Sequence, residues 1–436
     1  MQNWPTLIRI RLLMALLIVV CCGSISMGQL DFEAPPIDYH KTPVSDVVFQ
    51  LQAKIDNGDL SLEHDQRRGY LAALLKSLDI PISSQLLVFS KTSLQIQRIS
   101  RRRPRAVYYN DDVYVGWIPG SDVMEISVAD PNQGAVFYTL RQQPSQPVKF
   151  VRDRGQCLSC HASSRTSGVP GHLMRSVYAD HRGQPFFGAG TFTTDDRSPL
   201  HERWGGWFVT GSHGKLRHMG NVVATDRDRT DELDVEAGAN VTDLKKFVDV
   251  KPYLSPHSDI VSLMVLGHQA RMHNLITRAN FETRLAHHYD AIMNKALGRP
   301  DDFQSDSTRR RIDSAADRVV AGLLFSDEAA LTDAIRGTSD FAAEFAAKGP
   351  RDKQGRSLRQ FDLERRLMKY PCSYLIYSDS FSCLPKDAKQ AIYAKLYSVL
   401  KGELQDEKYD HLSGEDRQAV FEILSETMED LPGSWQ

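Results

Sequence analysis

Residues 107–140 read VYYNDDVYVGWIPGSDVMEISVADPNQGAVFYTL, and this stretch decides the fold. Short runs rich in β-branched and aromatic residues (Val107 to Tyr109, Val113 to Ile118, Met124 to Val128, Val136 to Leu140) alternate with the turn formers Asn110-Asp111, Pro119-Gly120 and Asp130-Pro131. Runs of that length, punctuated that often, predict a meander of strands. Leu86 to Phe89 extends the pattern upstream, and Arg175 to Ala179, Pro185 to Gly188 and Trp207 to Val209 are further strand-like segments downstream. Before the meander, Val44 to Leu78 carries apolar residues at helical spacing, broken at Asn57-Gly58, which predicts two short helices.

After it, an acidic polar stretch from Asp226 to Asn240 separates the strand-rich part from one of helical periodicity. There Asp259 to Leu297, Ile312 to Leu324, Ala329 to Ala346, Leu363 to Tyr377, Ala388 to Leu400 and Gln418 to Met428 each carry a helical apolar spacing. The expectation is an α+β chain: a strand-rich region over 29–240 followed by an α-helical bundle over 241–436.

The first thirty residues differ from the rest. Arg9 and Arg11 precede an apolar run from Leu12 to Cys22, and Ser26 and Gly28 fit the small positions of a signal-peptidase site, so residues 1–28 read as an export signal. The run is shorter than the roughly 20 residues that span a bilayer. A retained anchor or lipidation at Cys21 or Cys22 are the lesser alternatives, and no transmembrane domain is expected in the mature chain. The mature protein is then expected to be periplasmic or otherwise exported, where disulfides are permitted. A net charge of −2 gives no footprint for nucleic acid, and the basic run Arg101, Arg102, Arg103, Arg105 reads as a solvated loop.

The chemistry concentrates in Gly155-Gln156-Cys157-Leu158-Ser159-Cys160-His161. C-x-x-C-H is the attachment signature of one covalent c-type haem: two thiols three residues apart lie on one helical turn, and the adjacent imidazole reaches the iron as proximal ligand. With 6 Cys and 14 His in 436 residues, chance supplies on the order of 0.003 such matches. A thioredoxin-like dithiol would use the same cysteines but expects a βαβ setting, and a zinc site wants a second ligand cluster. Of the remaining cysteines, Cys372 and Cys383 are either two buried thiols or, through a turn near Ser380 to Pro385, a disulfide.

With the export signal and the phrases Val169-Pro170-Gly171-His172 and Arg203-Trp204-Gly205-Gly206-Trp207-Phe208-Val209-Thr210-Gly211, the motif resembles a group of bacterial proteins labelled cytochrome c domain-containing. The resemblance implies heme c and little more. The all-α cytochrome c fold is a poor match, because strand-like runs flank the motif.

A carrier of single electrons needs a sixth iron ligand. His218 or Met219, in the loop-like stretch from Ser212 to Asn221, lead the distal candidates. His268 on the helix from Asp259 follows, then His213, His172 or Met174, and an open position is the remaining option. Arg152, Arg154, Arg165 and Arg175 are the nearest cations for the propionates, and Trp204 and Trp207 are the aromatic residues placed to pack on the macrocycle. The functional expectation is an exported monohaem electron-transfer protein with an unknown redox partner protein. Its alternatives are a peroxidase-like haem enzyme, a haem-based sensor and, without haem, a dithiol oxidoreductase.

Overall fold

The strand runs of residues 86–152 fold into a six-stranded sheet in a computed structural model that describes residues 31–435. The export-signal reading of residues 1–28 lies outside the described residues. The strands are β1 (Leu86–Val88), β2 (Arg105–Tyr109), β3 (Val113–Trp117), β4 (Val123–Asp130), β5 (Gly134–Arg141) and β6 (Phe150–Arg152), antiparallel and in sequence order. Each tight turn the sequence marks becomes a hairpin, so no crossover is needed. β6 has no counterpart among the expected strands; it is three residues long and Gln52 and Val148 backbone contacts tie it to the first helix. Downstream, β7 (Arg175–Val177) pairs with β8 (Thr191–Thr193) rather than with Pro185 to Gly188, whose glycine-bearing end forms a single 3-10 turn. Trp207 makes only an isolated bridge to Val88.

Alternation gives the sheet two different faces. Leu87, Tyr108, Val115, Trp117, Met124, Val128, Val136 and Leu140 pack beneath α1 (Val47–Asp56) and α2 (Leu71–Ser77) in one core. The other face carries Val107, Tyr109 and Tyr114 into a second core shared with the helical half.

Between β6 and β7 the chain makes α3 (Leu158–His161), a single turn bearing the C-x-x-C-H motif. The helical half is built on α4 (Ile260–Leu297), 38 residues and about 57 Å long. Its N-terminal stretch from Ile260 to Ala270 is buried all round because it runs between the sheet and the remaining helices, α5 (Asp306–Leu323), α6 (Phe341–Ala347), α7 (Asp379–Ser382), α8 (Lys386–Leu400) and α9 (Gly414–Thr427). One core therefore joins Val107 and Tyr114 of the sheet to Ile276, Val319 and Leu396 of the helices, and the polar stretch up to Asn240 marks no break in packing.

Two expected helices are mostly absent. Leu363 to Tyr377 contains Pro371, places Leu363 at φ +59° and folds back through a Phe361–Met368 bridge, leaving one 3-10 turn at Tyr374–Tyr377. Ala329 to Ala346 keeps only α6, because its first part passes through Gly337, Thr338 and Ser339, which wrap around the Asp259 carboxylate. Cys372 and Cys383 remain thiols, so no disulfide closes here; Cys372 is buried but Cys383 is exposed, which corrects the expectation of two buried thiols. No helix among the described residues is long and apolar enough to cross a membrane.

Candidate functional site

Asp153 starts the site. Its carboxylate accepts from the Gly155 and Cys157 amides at 3.0 and 2.9 Å, turning the chain from β6 into α3. The amides of Cys160 and His161 both donate to the Cys157 carbonyl, so the two thiols and the imidazole share one turn. A small apolar core holds that turn from behind, with Leu158, Ala162 and Val169 packed on Phe32, Ile37 and Tyr39 and on Phe281 and Leu285 of α4.

His161 and Gly171 then bond reciprocally: the Gly171 amide donates to the His161 carbonyl at 2.8 Å, and His161 Nδ1 lies 2.9 Å from the Gly171 carbonyl oxygen. A carbonyl only accepts, so Nδ1 carries the proton and Nε2 is left as the lone-pair nitrogen, with no hydrogen bond to any described residue. Burial pushes the pKa of this imidazole down, favouring the neutral form that binds metals.

The Gly171 segment is fixed in turn by α4. Asn274 accepts from the His172 amide and donates to the His172 carbonyl, both at 2.8 Å, and a Cβ on Gly171 would lie 2.2 Å from Asn274 Oδ1. One residue earlier, the Pro170 carbonyl accepts from Ala135 at the start of β5, across Gly134, whose Cβ would stand 2.6 Å from that oxygen.

Cys157, Cys160 and His161 line one end of a cleft of about 500 Å³. Two cross-strand rows of one sheet face make its floor: Val107, Gly116, Glu125 and Thr139 in register, then Tyr114, Ser127 and Phe137. Leu266 and Ala270 of α4, Trp207 and Met174 add further wall, and the exposed side chains of Leu94, Ile96 and Phe187 stand at it too. Among this apolar lining are two guanidinium groups whose buried Nε atoms have no partner, Arg105 and Arg175. Arg105 also pairs with Glu125 at 2.6 Å, so it belongs to the cleft and not to a solvated loop. Arg101 likewise is half-buried, donating to the Asn221 carbonyl.

No family model, curated protein or solved structure matches this chain. Its chemistry is therefore read from its own residues.

Those residues fit a covalently held haem. The thiols and a neutral imidazole stand on one turn at the cleft, orphaned donors suit the propionates, and exposed apolar side chains at the cleft await a flat apolar partner. No cluster of three or more His, Cys, Asp or Glu converges on one metal position among the described residues. A porphyrin brings its own in-plane nitrogens, so a haem iron asks the protein only for axial ligands. A redox dithiol fits less well: burial, with the Asp153 and Glu125 carboxylates adding to it, pushes the Cys157 thiol up to about 12, the opposite of an activated nucleophile.

The leading distal candidates lie elsewhere. His218 is buried with its ring on Trp204 and His213, and its Nδ1 accepts from the Gly220 amide. The Met219 sulfur accepts from Ser176 Oγ at 3.6 Å. His268 stacks on Phe325, with Nε2 2.8 Å from Ser373 Oγ and Nδ1 3.4 Å from the Asp196 carboxylate. His213 spends both nitrogens on backbone groups at Leu216 and Asn240. None of the four lines the cleft, whereas His172 and Met174 do. Of the other expected contacts, Trp207 and Arg175 reach the cleft. Trp204 is core, Arg152 holds the Tyr39 carbonyl, Arg154 is exposed, and Arg165 lines a neighbouring cavity. Asn274 is not singled out by sequence, because it acts only through His172 and Gly171, about a hundred residues earlier in the chain.

Proposed function

We propose that this chain is an exported monohaem c-type cytochrome that passes single electrons to a partner protein, with thioethers at Cys157 and Cys160 and His161 as proximal ligand. The observation that carries the reading is the His161 ring: Nδ1 is tied to the Gly171 carbonyl and Nε2 is unpaired, on the same cleft-lining turn as both thiols. That carbonyl fixes the tautomer and the ring's orientation, as hydrogen-bond partners do for metal-bound histidines in general. When bound, the haem supplies a reversible one-electron centre.

The chain's own residues do the rest. Arg105 and Arg175 would offer their unpartnered Nε–H groups to the propionates, and Phe137, its ring centroid 5.0 Å from that of His161, would cover that ring. Met174, whose side chain lines the cleft, would be the second protein group to hold the iron. The alternative is His172, whose Nε2 is engaged by Ser127 at 2.8 Å, which leaves only its Nδ1 free. Leu94, Ile96 and Phe187 form an exposed apolar rim for docking.

The test is the protein made with a c-type maturation system. Pigment should survive acid and organic extraction, and be lost when Cys157 and Cys160 are both replaced by Ala. Pigment that extracts from the wild type, or never attaches, sinks the reading. A spectrum that is six-coordinate and indifferent to carbon monoxide supports the carrier. Rapid gas binding supports a second reading, a haem enzyme or sensor with an open iron, which one observation favours: a polar cavity shares three wall residues with the cleft.

A further inference from the structure

That second cavity, of about 430 Å³, meets the cleft at His172, Met174 and Ala270, and its chemistry is different. Three guanidinium groups line it, those of Arg165, Arg197 and Arg271. Arg197 pairs with Asp195 at 2.9 Å and Arg271 with Asp196 at 2.6 Å, while Arg165 has no carboxylate partner among the described residues. Burial works against ionisation of Asp196, but Arg271 and His268 outweigh it and hold the carboxyl well below the usual range. Three cations against two carboxylates leave one positive charge unmatched.

Two buried polar groups at the cavity also lack partners. Thr194 is 3% exposed and its hydroxyl bonds to nothing. His172 is 6% exposed; its Nε2 is engaged by Ser127, which lines the haem cleft and not this cavity, and its Nδ1 has no partner. Orphaned buried polar groups are rare and costly, so a wall that gathers two of them beside an unpaired guanidinium is built for something that is not protein.

We propose that this cavity binds a small oxyanion or carboxylate, gripped by Arg165 and Arg271 and completed by Thr194 Oγ–H and His172. Guanidinium forks match planar and tetrahedral oxyanions, and their charge-assisted hydrogen bonds are the strong ones. A cation would be repelled by the one unmatched positive charge, which an anion meets. The anion itself follows from the cavity alone. That it serves the haem, being held against residues that also wall the haem cleft, rests on the function proposed above. Two sources supply this chemistry, an oxyanion from solution or the haem's own propionates.

Calorimetric titration of the haem-loaded protein with nitrite, sulfate and acetate decides between them. A solution oxyanion gives saturable binding of at least one of these, weakened at least tenfold in Arg165→Gln, an exposed position whose loss leaves the thermal midpoint of the anion-free protein unchanged. If no anion binds yet Arg165→Gln shifts the haem midpoint potential, the same site is filled by a propionate. No binding together with an unchanged potential overturns the proposal, as does binding that Arg165→Gln and Arg271→Gln each leave unaltered. Should the chain carry no haem, the titration still decides by itself, so loss of the haem reading and loss of the anion site are separate results.

Discussion

In the proposed reading His161 would serve an iron because its two ring nitrogens do different things, and that division depends on two neighbours distant from it in sequence. The Gly171 carbonyl accepts from Nδ1–H, and Asn274 holds Gly171 in place. Gly171→Ala forces a Cβ onto Asn274 Oδ1, so either the amide or the 171 carbonyl moves. The expected result is intact covalent haem, a shifted midpoint potential, and a urea midpoint corresponding to a loss of about 1 to 3 kcal/mol. An unchanged potential would show that the carbonyl does not orient the proximal ring. On the distal side, Met174→Ala should open the iron to carbon monoxide. His218→Ala, Met219→Ala and His268→Ala should leave the spectrum as it is, since those side chains lie outside the cleft. If Met174→Ala stays closed to the gas while one of those three opens, the assignment of Met174 is wrong.

α4 is the element that connects the motif to the helical half. Its N-cap, Asp259, accepts from the amides of Val261, Thr338 and Ser339 and from the Ser339 hydroxyl, all at 2.8 Å, so one carboxylate caps the helix and anchors the turn before α6. Asp259→Ala removes the cap and strands buried donors, which should cost about 2 to 4 kcal/mol in urea unfolding. Asn274 lies fifteen residues further on, roughly 22 Å along the axis. Asn274→Ala should therefore lower stability by a comparable amount and also move the haem potential, whereas Asp259→Ala should leave the potential alone. Equal effects of the two variants on the potential would mean that α4 does not act locally at Gly171. The same pair explains a helix that periodicity overstated: the spacing of Ala329 to Ala346 is helical, but Thr338 and Ser339 bond to Asp259 instead of continuing a helix.

At the scale of the molecule, the sheet and the helices meet around the turn of β2 and β3, where Asp112 lines a cavity with Tyr109, Arg359 and Tyr374. Burial, with Asp111 and Asp379 adding to it, raises the Asp112 carboxyl to about 7. In the unfolded chain it ionises near pH 4, so between about 4 and 7 the folded state holds a proton that the unfolded state has released. The favourable contribution is full below pH 4 and lost as pH rises to 7. Asp112→Asn should thus stabilise the protein above pH 7, by on the order of 2 kcal/mol, and change it little at pH 4. Denaturant midpoints across that range check this, and a gain independent of pH would place the effect outside titration.

By itself the sequence determined what depends on neighbours a few residues apart. Turn formers between β-branched runs set the meander β2 to β5, the 3.6-residue spacing set α4, and the distance between Cys157 and Cys160 placed two thiols and an imidazole on one turn. Only the tertiary structure decided what those pieces face. It brought Met174 to the cleft wall and left Met219 in the core. It moved Arg105 from an apparent surface run into the cleft floor, and it put Asn274, more than a hundred residues away, against Gly171. The physical reason is the range of the forces involved: periodicity and turn chemistry act through the local backbone, whereas a ligand's place on one side of a cleft depends on how a sheet and a helix distant in the chain pack together.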